Sequence, residues 1–185
     1  MNHLATSKEE ILAASRDLIK ENGWAAVSIR AVASRCSVSA GTIYNYYESK
    51  ADLLSDTIES IWHEIFFHPE DEQVFHDVES CISWIYERLE YGNRQFPGFF
   101  SLHSFGFMRD EKTSGKKRMM KTWGHILNGL CEVLGNDPKV RADVFDQEFT
   151  EKKFADILFS LILVSMIRQD YDPSSVLMLV KKTLY

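Results

Sequence analysis

The chain has 185 residues, 45% hydrophobic and 26% charged, with a formal net charge of −6 at pH 7. That length can bury a real core in one or two compact domains, and the acid excess argues against a protein that coats nucleic acid non-specifically. The charge is uneven: residues 1–50 hold six Lys/Arg against five Asp/Glu, and residues 51–185 hold fifteen against twenty-two, so a DNA-facing surface suits the near-neutral part.

Residues 1–6 are expected to fray. Ser7 and Glu10 have capping-box spacing and open a first helix, with Ile11, Ala14 and Leu18 at helical intervals. Asn22-Gly23 ends it, and Trp24 and Val27 pack the link that follows. Ser28 then caps a short helix whose apolar face is Ile29, Val32 and Ala33. Cys36-Ser37-Val38 forms a tight turn with Val38 as its plug. Ser39 is a second N-cap, and Ala40 to Tyr47 form another helix, too short to stand alone. Ile43 and Tyr47, four apart, are its packing residues. Thr42, Tyr44, Asn45 and Tyr46 face outward.

This arrangement is how a helix-turn-helix DNA reader is written. Ala40 and Gly41 let backbone approach a duplex, and helix N-terminal N–H groups favour phosphate. The hydroxyls of Thr42, Tyr44 and Tyr46 suit phosphate oxygens, and Asn45 can read a base edge. Ser49, with Asp52 three residues on, caps the next helix, in whose first turn Lys50 can clamp a phosphate. Taken by spacing alone, the same pattern also suits a polar, aromatic helix pair with no ligand.

The run from Ser28 to Leu54 resembles the DNA-binding signature of TetR-family transcriptional regulators. Ser28, Val32-Ala33, the turn Cys36-Ser37-Val38-Ser39, then Gly41-Thr42-Ile43-Tyr44-Asn45-Tyr46-Tyr47, Lys50 and Leu53-Leu54 occupy its places. Cys36-Ser37 replaces the usual Ala-Gly, so the turn lacks the residue that best tolerates positive φ, and Tyr47 replaces the common Phe. The resemblance covers the first third of the chain. It implies an all-α protein of about nine helices: a three-helix, homeodomain-like head, 1–49, and a helical effector-binding and dimerisation bundle, 50–185. The expected DNA contacts are Ser28, Arg30, Ser39, Ala40, Gly41, Thr42, Tyr44, Asn45, Tyr46 and Lys50.

Further along, a helix is expected from about Lys50 to Phe67, with Leu54, Ile58, Ile61, Trp62, Ile65 and Phe66 on its buried side. Joining head to body, it is the natural lever between them. His68-Pro69 and an acidic loop end it. The next helix is expected from about Glu72 to Arg94, until Phe96-Pro97-Gly98 breaks it. Phe99 to Met108 is dense in aromatics and suggests a short helix. Lys112 to Leu134 is a long amphipathic helix whose early Lys116, Lys117, Arg118 and Lys121 suit a solvated face better than a second anionic contact. Asp137-Pro138 suggests a short linker helix, Phe145 to Arg168 a long one, and Asp172-Pro173 the start of the last. Residues 157–167 are apolar on nearly every side. Such a helix must be covered all round, so the last two helices suggest a four-helix association surface with a second copy.

The resemblance implies that an effector site lies in the body. Its candidate lining is Trp62, Phe66, Trp84, Phe100, His103, Phe107, Trp123 and Leu127, although aromatics at helical spacing also make plain core. It further implies a homodimer on a pseudo-palindromic, double-stranded operator, acting as a repressor that a small-molecule effector releases. The alternative on the same scaffold is a DNA-binding dimer that works through a protein partner or DNA organisation, with no such switch.

No cofactor is expected. No metal is expected either, since His63, His68 and His76 lack ligand spacing. Without a phosphate loop, nucleophile elbow or zinc motif, no enzyme is expected. Cys36, Cys81 and Cys131 are odd in number and widely spaced, which suits reduced thiols in the cytoplasm. No signal peptide is recognised, and Phe154–Ile167 is too short to span a bilayer.

Overall fold

The computed structural model describes residues 6–66, 75–100 and 114–185, with side chains from Trp123 onward in the last stretch. Among the described residues there are eight α-helices and no strands. They are α1 (Lys8–Asn22), α2 (Ile29–Arg35), α3 (Ala40–Tyr44), α4 (Lys50–Phe66), α5 (Val78–Gln95), α6 (Ser114–Asn136), α7 (Glu151–Arg168) and α8 (Ser174–Leu184), with a 3₁₀ turn at Trp24–Ala26. The chain divides into two compact units, with boundaries after His68, Tyr91 and Met119. The first holds α1 to α4, Gly92 to Phe100 and the start of α6. The second holds α5 up to Tyr91, the rest of α6, α7 and α8.

In the first unit the expected caps are in place. The Ser7 hydroxyl accepts from the Glu10 N–H at 3.2 Å, and the Ser7 N–H donates to the Glu10 carboxylate at 2.8 Å. Gly23, at φ 77°, closes α1 with its N–H on the Ile19 carbonyl. Ser28 and Ser39 accept from the N–H groups of Ala31 and Thr42, both at 3.1 Å, and Ser49 accepts from Asp52. Each such cap is worth about 1 kcal/mol. Seven-residue α2 and five-residue α3 still fall short of independent stability. A shared core of Ile11, Ile19, Val27, Val32, Ile43 and Tyr47, all buried, holds them.

Ion pairs lash α1 to α4. Lys8 meets the buried Asp56 at 2.6 Å, Arg16 Nε meets Glu64 at 3.0 Å, and Lys20 meets Glu64 at 2.7 Å. The boundary expected at residue 50 thus falls inside the first unit, whose α4 is joined to α1 by charge and by burial of Leu53, Leu54, Ile58, Ile61 and Ile65.

The second unit departs from the sequence expectation at its helix starts. The helix expected from Glu72 begins at Val78, because the Asp77 carboxylate accepts the Ser80 N–H at 2.8 Å and so caps it there; residues 72–74 lie outside the described residues. Lys139, 2.8 Å from Asp77, and the Ser80 bonds hold the Asp77 carboxyl down at about 2. The linker helix expected at Asp137-Pro138 is replaced by successive turns. The buried Asp137 carboxylate instead accepts the N–H groups of Val78 and Lys139, both at 2.9 Å, and the Tyr185 hydroxyl at 2.5 Å.

The helix expected from Phe145 starts at Glu151. Asp146 accepts the N–H groups of Glu148 and Phe149, folding that stretch into an Asx turn, and Thr150 provides the N-cap. Phe145, Phe149 and Phe154 gather there as a ring cluster. The short helix expected over Phe99 to Met108 lies outside the described residues beyond Phe100, which together with Phe99 is in a turn.

Helix α7 buries Phe154, Ala155, Leu158, Ile162 and Met166, and its Ser165 hydroxyl lies 2.9 Å from that of Tyr86. Its other face leaves Ile157, Val164 and Ile167 exposed at 45, 39 and 49%. On α8, Val176, Val180 and Leu184 are buried while Met178 and Leu179 are exposed.

Candidate nucleic-acid interface and aromatic cluster

The link between α2 and α3 sets the geometry of the head. The Val38 N–H reaches back to the Ala33 carbonyl at 2.9 Å, and the Ser37 N–H to Ser34 at 3.1 Å. This is the paired Schellman pattern, which needs a left-handed residue between its two bonds. Ser37 is that residue, at φ 55°. A non-glycine there is strained by about 1 kcal/mol, and the strain falls where Cys36-Ser37 replaces Ala-Gly.

The turn presents α3 with Tyr44 and Asn45 exposed, Thr42 and Tyr46 half-buried, and Ile43 and Tyr47 in the core. Ser28 and Ser39 are both occupied as cap acceptors, which leaves their O–H groups as donors. That of Ser39 is 3.0 Å from the Thr42 hydroxyl, where either can donate. Arg30 and Lys50 are exposed, the latter at the first position of α4. Ala40 is half-buried at the first position of α3.

Gly41 is informative. Its φ is not positive, and a Cβ built on it would meet only the Ser39 hydroxyl, at an ordinary 3.6 Å. Among the described residues nothing asks for glycine at this exposed position.

Tyr46 differs from expectation. Helix α3 ends at Tyr44, so Tyr46 lies in the following turn, and its hydroxyl donates to the Thr6 carbonyl at 2.5 Å. That proton is committed to the segment before α1, and the group as placed has none to offer a phosphate. Forty residues separate the partners, and no local pattern signals the bond. Cys36, half-buried in the turn, points its thiol at the Glu10 carbonyl at 3.8 Å, and burial raises its pKa.

The candidate effector residues divide between the units. In the first, Trp62 stacks on Phe66 at 5.6 Å and meets Phe100 at 5.6 Å and Phe99 at 5.5 Å. Phe99, absent from the expected lining, lies at the centre, with Phe100 at 5.1 Å, Phe96 at 6.3 Å and Trp24 of the head at 6.3 Å. Its signal was the Pro97-Gly98 break: Gly98, at φ 79°, turns the chain so that Phe99 follows Phe96 back into the core. Gly92 packs so closely that an added Cβ would lie 2.6 Å from Ile65 Cδ1 and 3.1 Å from Phe100. Lys20 stands 4.9 Å over the Phe96 ring.

In the second unit Trp84 packs on Phe75 at 5.2 Å and Trp123 on Phe159 at 5.7 Å, with Leu127 half-buried on α6. His103 and Phe107 lie outside the described residues. Among the described residues no three His, Cys, Asp or Glu gather as a metal site requires, and no helix is long and apolar enough to cross a membrane.

Residues 11–57 match the bacterial regulatory proteins of the tetR family. Over 52 residues the chain is 35% identical to the HTH-type transcriptional regulator UidR of Escherichia coli, a stretch covering 28% of this chain and 26% of that protein. Over 47 residues it is 45% identical to the HTH-type transcriptional repressor KstR of Rhodococcus jostii, covering 25% and 22%. The chain thus matches about a quarter of the length of these relatives. The fold as a whole is similar to that of the transcriptional regulator FadR of Bacillus subtilis, solved in complex with stearoyl-CoA. That likeness has a TM-score of 0.66 at 17% identity, over 97% of this chain and all of that one.

Proposed function

Proceeding from membership of the tetR family of bacterial regulatory proteins, which residues 11–57 carry, we propose that this chain is a dimeric, DNA-binding transcriptional repressor released from its operator by a small molecule. The observation that carries the reading is the outer face of the head. There Gly41 and Tyr44 on α3 and its C-cap Asn45 are exposed, while Ile43 is buried in the core, and the glycine has no internal reason to be one. Asn45 is the base-reading candidate, because its amide offers both a donor and an acceptor. Lys50, Arg30 and the cap hydroxyls are the phosphate contacts, which fix position rather than sequence.

The exposed apolar side chains of α7 and α8 support the dimer. Ile157, Val164, Ile167, Met178 and Leu179 are too many large side chains to leave in water on adjacent helices. A second copy laid on this face buries them isologously and brings two heads to one pseudo-palindrome. Effector binding would act through α4, which carries Trp62 and Phe66 at one end and follows the head directly at the other. By linkage, operator must then weaken effector binding by the same factor that effector weakens operator binding.

The test is operator selection followed by titration at several salt concentrations. Lys50→Ala should weaken binding to all sequences alike and reduce the slope of log affinity against log salt by about 1. Failure of the protein to enrich any sequence in the selection rejects the reading.

A further inference from the structure

Among the described residues of the first unit, Trp62 carries a polar atom that its surroundings do not answer. Trp62 is 4% exposed, and its indole Nε1–H is buried with no hydrogen-bond partner. A buried donor left unpaired costs roughly 1–3 kcal/mol, and native interiors tolerate few of them without a reason. The faces and edges around this one are the rings of Phe66, Phe99 and Phe100. None of these side chains carries an acceptor, so no rotamer change within the cluster can satisfy the N–H.

We infer that Trp62 is the specificity-determining donor of the effector site, and that the effector is an uncharged, largely apolar molecule with a hydrogen-bond acceptor, such as a ketone or ester carbonyl, that the indole N–H takes. This rests on the effector-gated reading above. The apolar body follows from the rings. The neutrality follows from the wall itself: the rings of Phe66, Phe99 and Phe100 carry no charge, and Lys20, over Phe96, is already paired with Glu64, so an ionic effector among these rings would lose its hydration and gain no counter-charge from them. The placement also bears on the switch. Phe99, in contact with Trp62, is in contact with Trp24 of the head, so a ligand that turns the Trp62 ring disturbs a chain of rings that ends in the head.

The experiment uses the full chain and two matched probes, 6-propionyl-2-dimethylaminonaphthalene, a ketone, and 2-dimethylaminonaphthalene, the same ring system without it. The ketone should bind the native protein about tenfold more tightly than it binds Trp62→Phe, since one neutral hydrogen bond is lost. The ketone-free probe should not distinguish the two proteins. In ¹⁵N spectra of the native protein, the indole N–H resonance missing from Trp62→Phe should move downfield with the ketone and not with its partner. This second readout needs no variant to fold. Equal ketone affinity for the two proteins, an unmoved Trp62 resonance, or failure of the ketone to bind overturns the assignment. A shifted resonance with operator affinity unchanged supports the assignment and rejects effector gating instead.

Discussion

Helix α3 and the α7–α8 face both hold large side chains in water, yet they do so in opposite ways. On α3 the exposed aromatic is Tyr44 alone, flanked by Gly41 and Asn45 and by cap hydroxyls. On α7 and α8 the large exposed hydrophobics are all aliphatic or thioether: Ile157, Val164 and Ile167, at helical spacing on α7, and Met178 and Leu179 on α8, with Asp156, Ser160, Lys181 and Lys182 exposed beside them. The first surface can trade water for polar partners group by group, which suits a polyanion read by hydrogen bonds. The aliphatic groups of the second gain only by shedding water, which suits another apolar surface. Exposure alone does not distinguish them; the chemistry around each exposed group does.

Separate substitutions should break the two surfaces independently. Tyr47→Ala removes a core ring 3% exposed and should destabilise the head by about 3–5 kcal/mol. The loss should appear as DNA binding abolished while sedimentation still reports a dimer. Val164→Asp places a carboxylate in the apolar face and should weaken association by on the order of 3 kcal/mol. Sedimentation should then report a monomer with undiminished helical circular dichroism, and a dimer that persists would move the association surface elsewhere. Gly41→Ala should leave the melting temperature equal or higher, since alanine favours helix by about 1 kcal/mol, while weakening operator binding. A variant that binds DNA as tightly as the parent would show that backbone approach at Gly41 is not used. Ser37→Gly relieves the left-handed serine and should stabilise by about 0.5–1 kcal/mol, a rise of a few degrees for a chain of this size. No rise would mean that the turn's hydrogen bonds already offset the strain.

The head was legible because its determinants are local. Ser7 with Glu10, Ser28 with Ala31, Ser39 with Thr42 and Ser49 with Asp52 each act across three residues, and the cost of a serine where glycine belongs could be read at Ser37 before any coordinates. The second unit was less legible because its polar anchors are distant. Asp137 ties Val78, 59 residues away, and Tyr185, 48 residues away, and a carboxylate so engaged does not start the helix that Asp-Pro suggests. The aromatic cluster was half legible. Trp62, Phe66 and Phe100 fell in one group, but the central Phe99 depends on a backbone turn at Gly98 rather than on periodicity.

The ion pairs between α1 and α4 have a practical bearing on protein engineering. Chimeric regulators are assembled by grafting one reading domain onto another's sensing domain, and the sequence pattern invites a cut just before Lys50. Such a graft would carry Lys8, Arg16 and Lys20 away from Asp56 and Glu64, leaving both carboxylates behind in the parent chain. The exchangeable module of this chain therefore extends through Glu64, and a hybrid joined earlier should regain its fit only when the acceptor scaffold supplies acidic residues at those two helical positions.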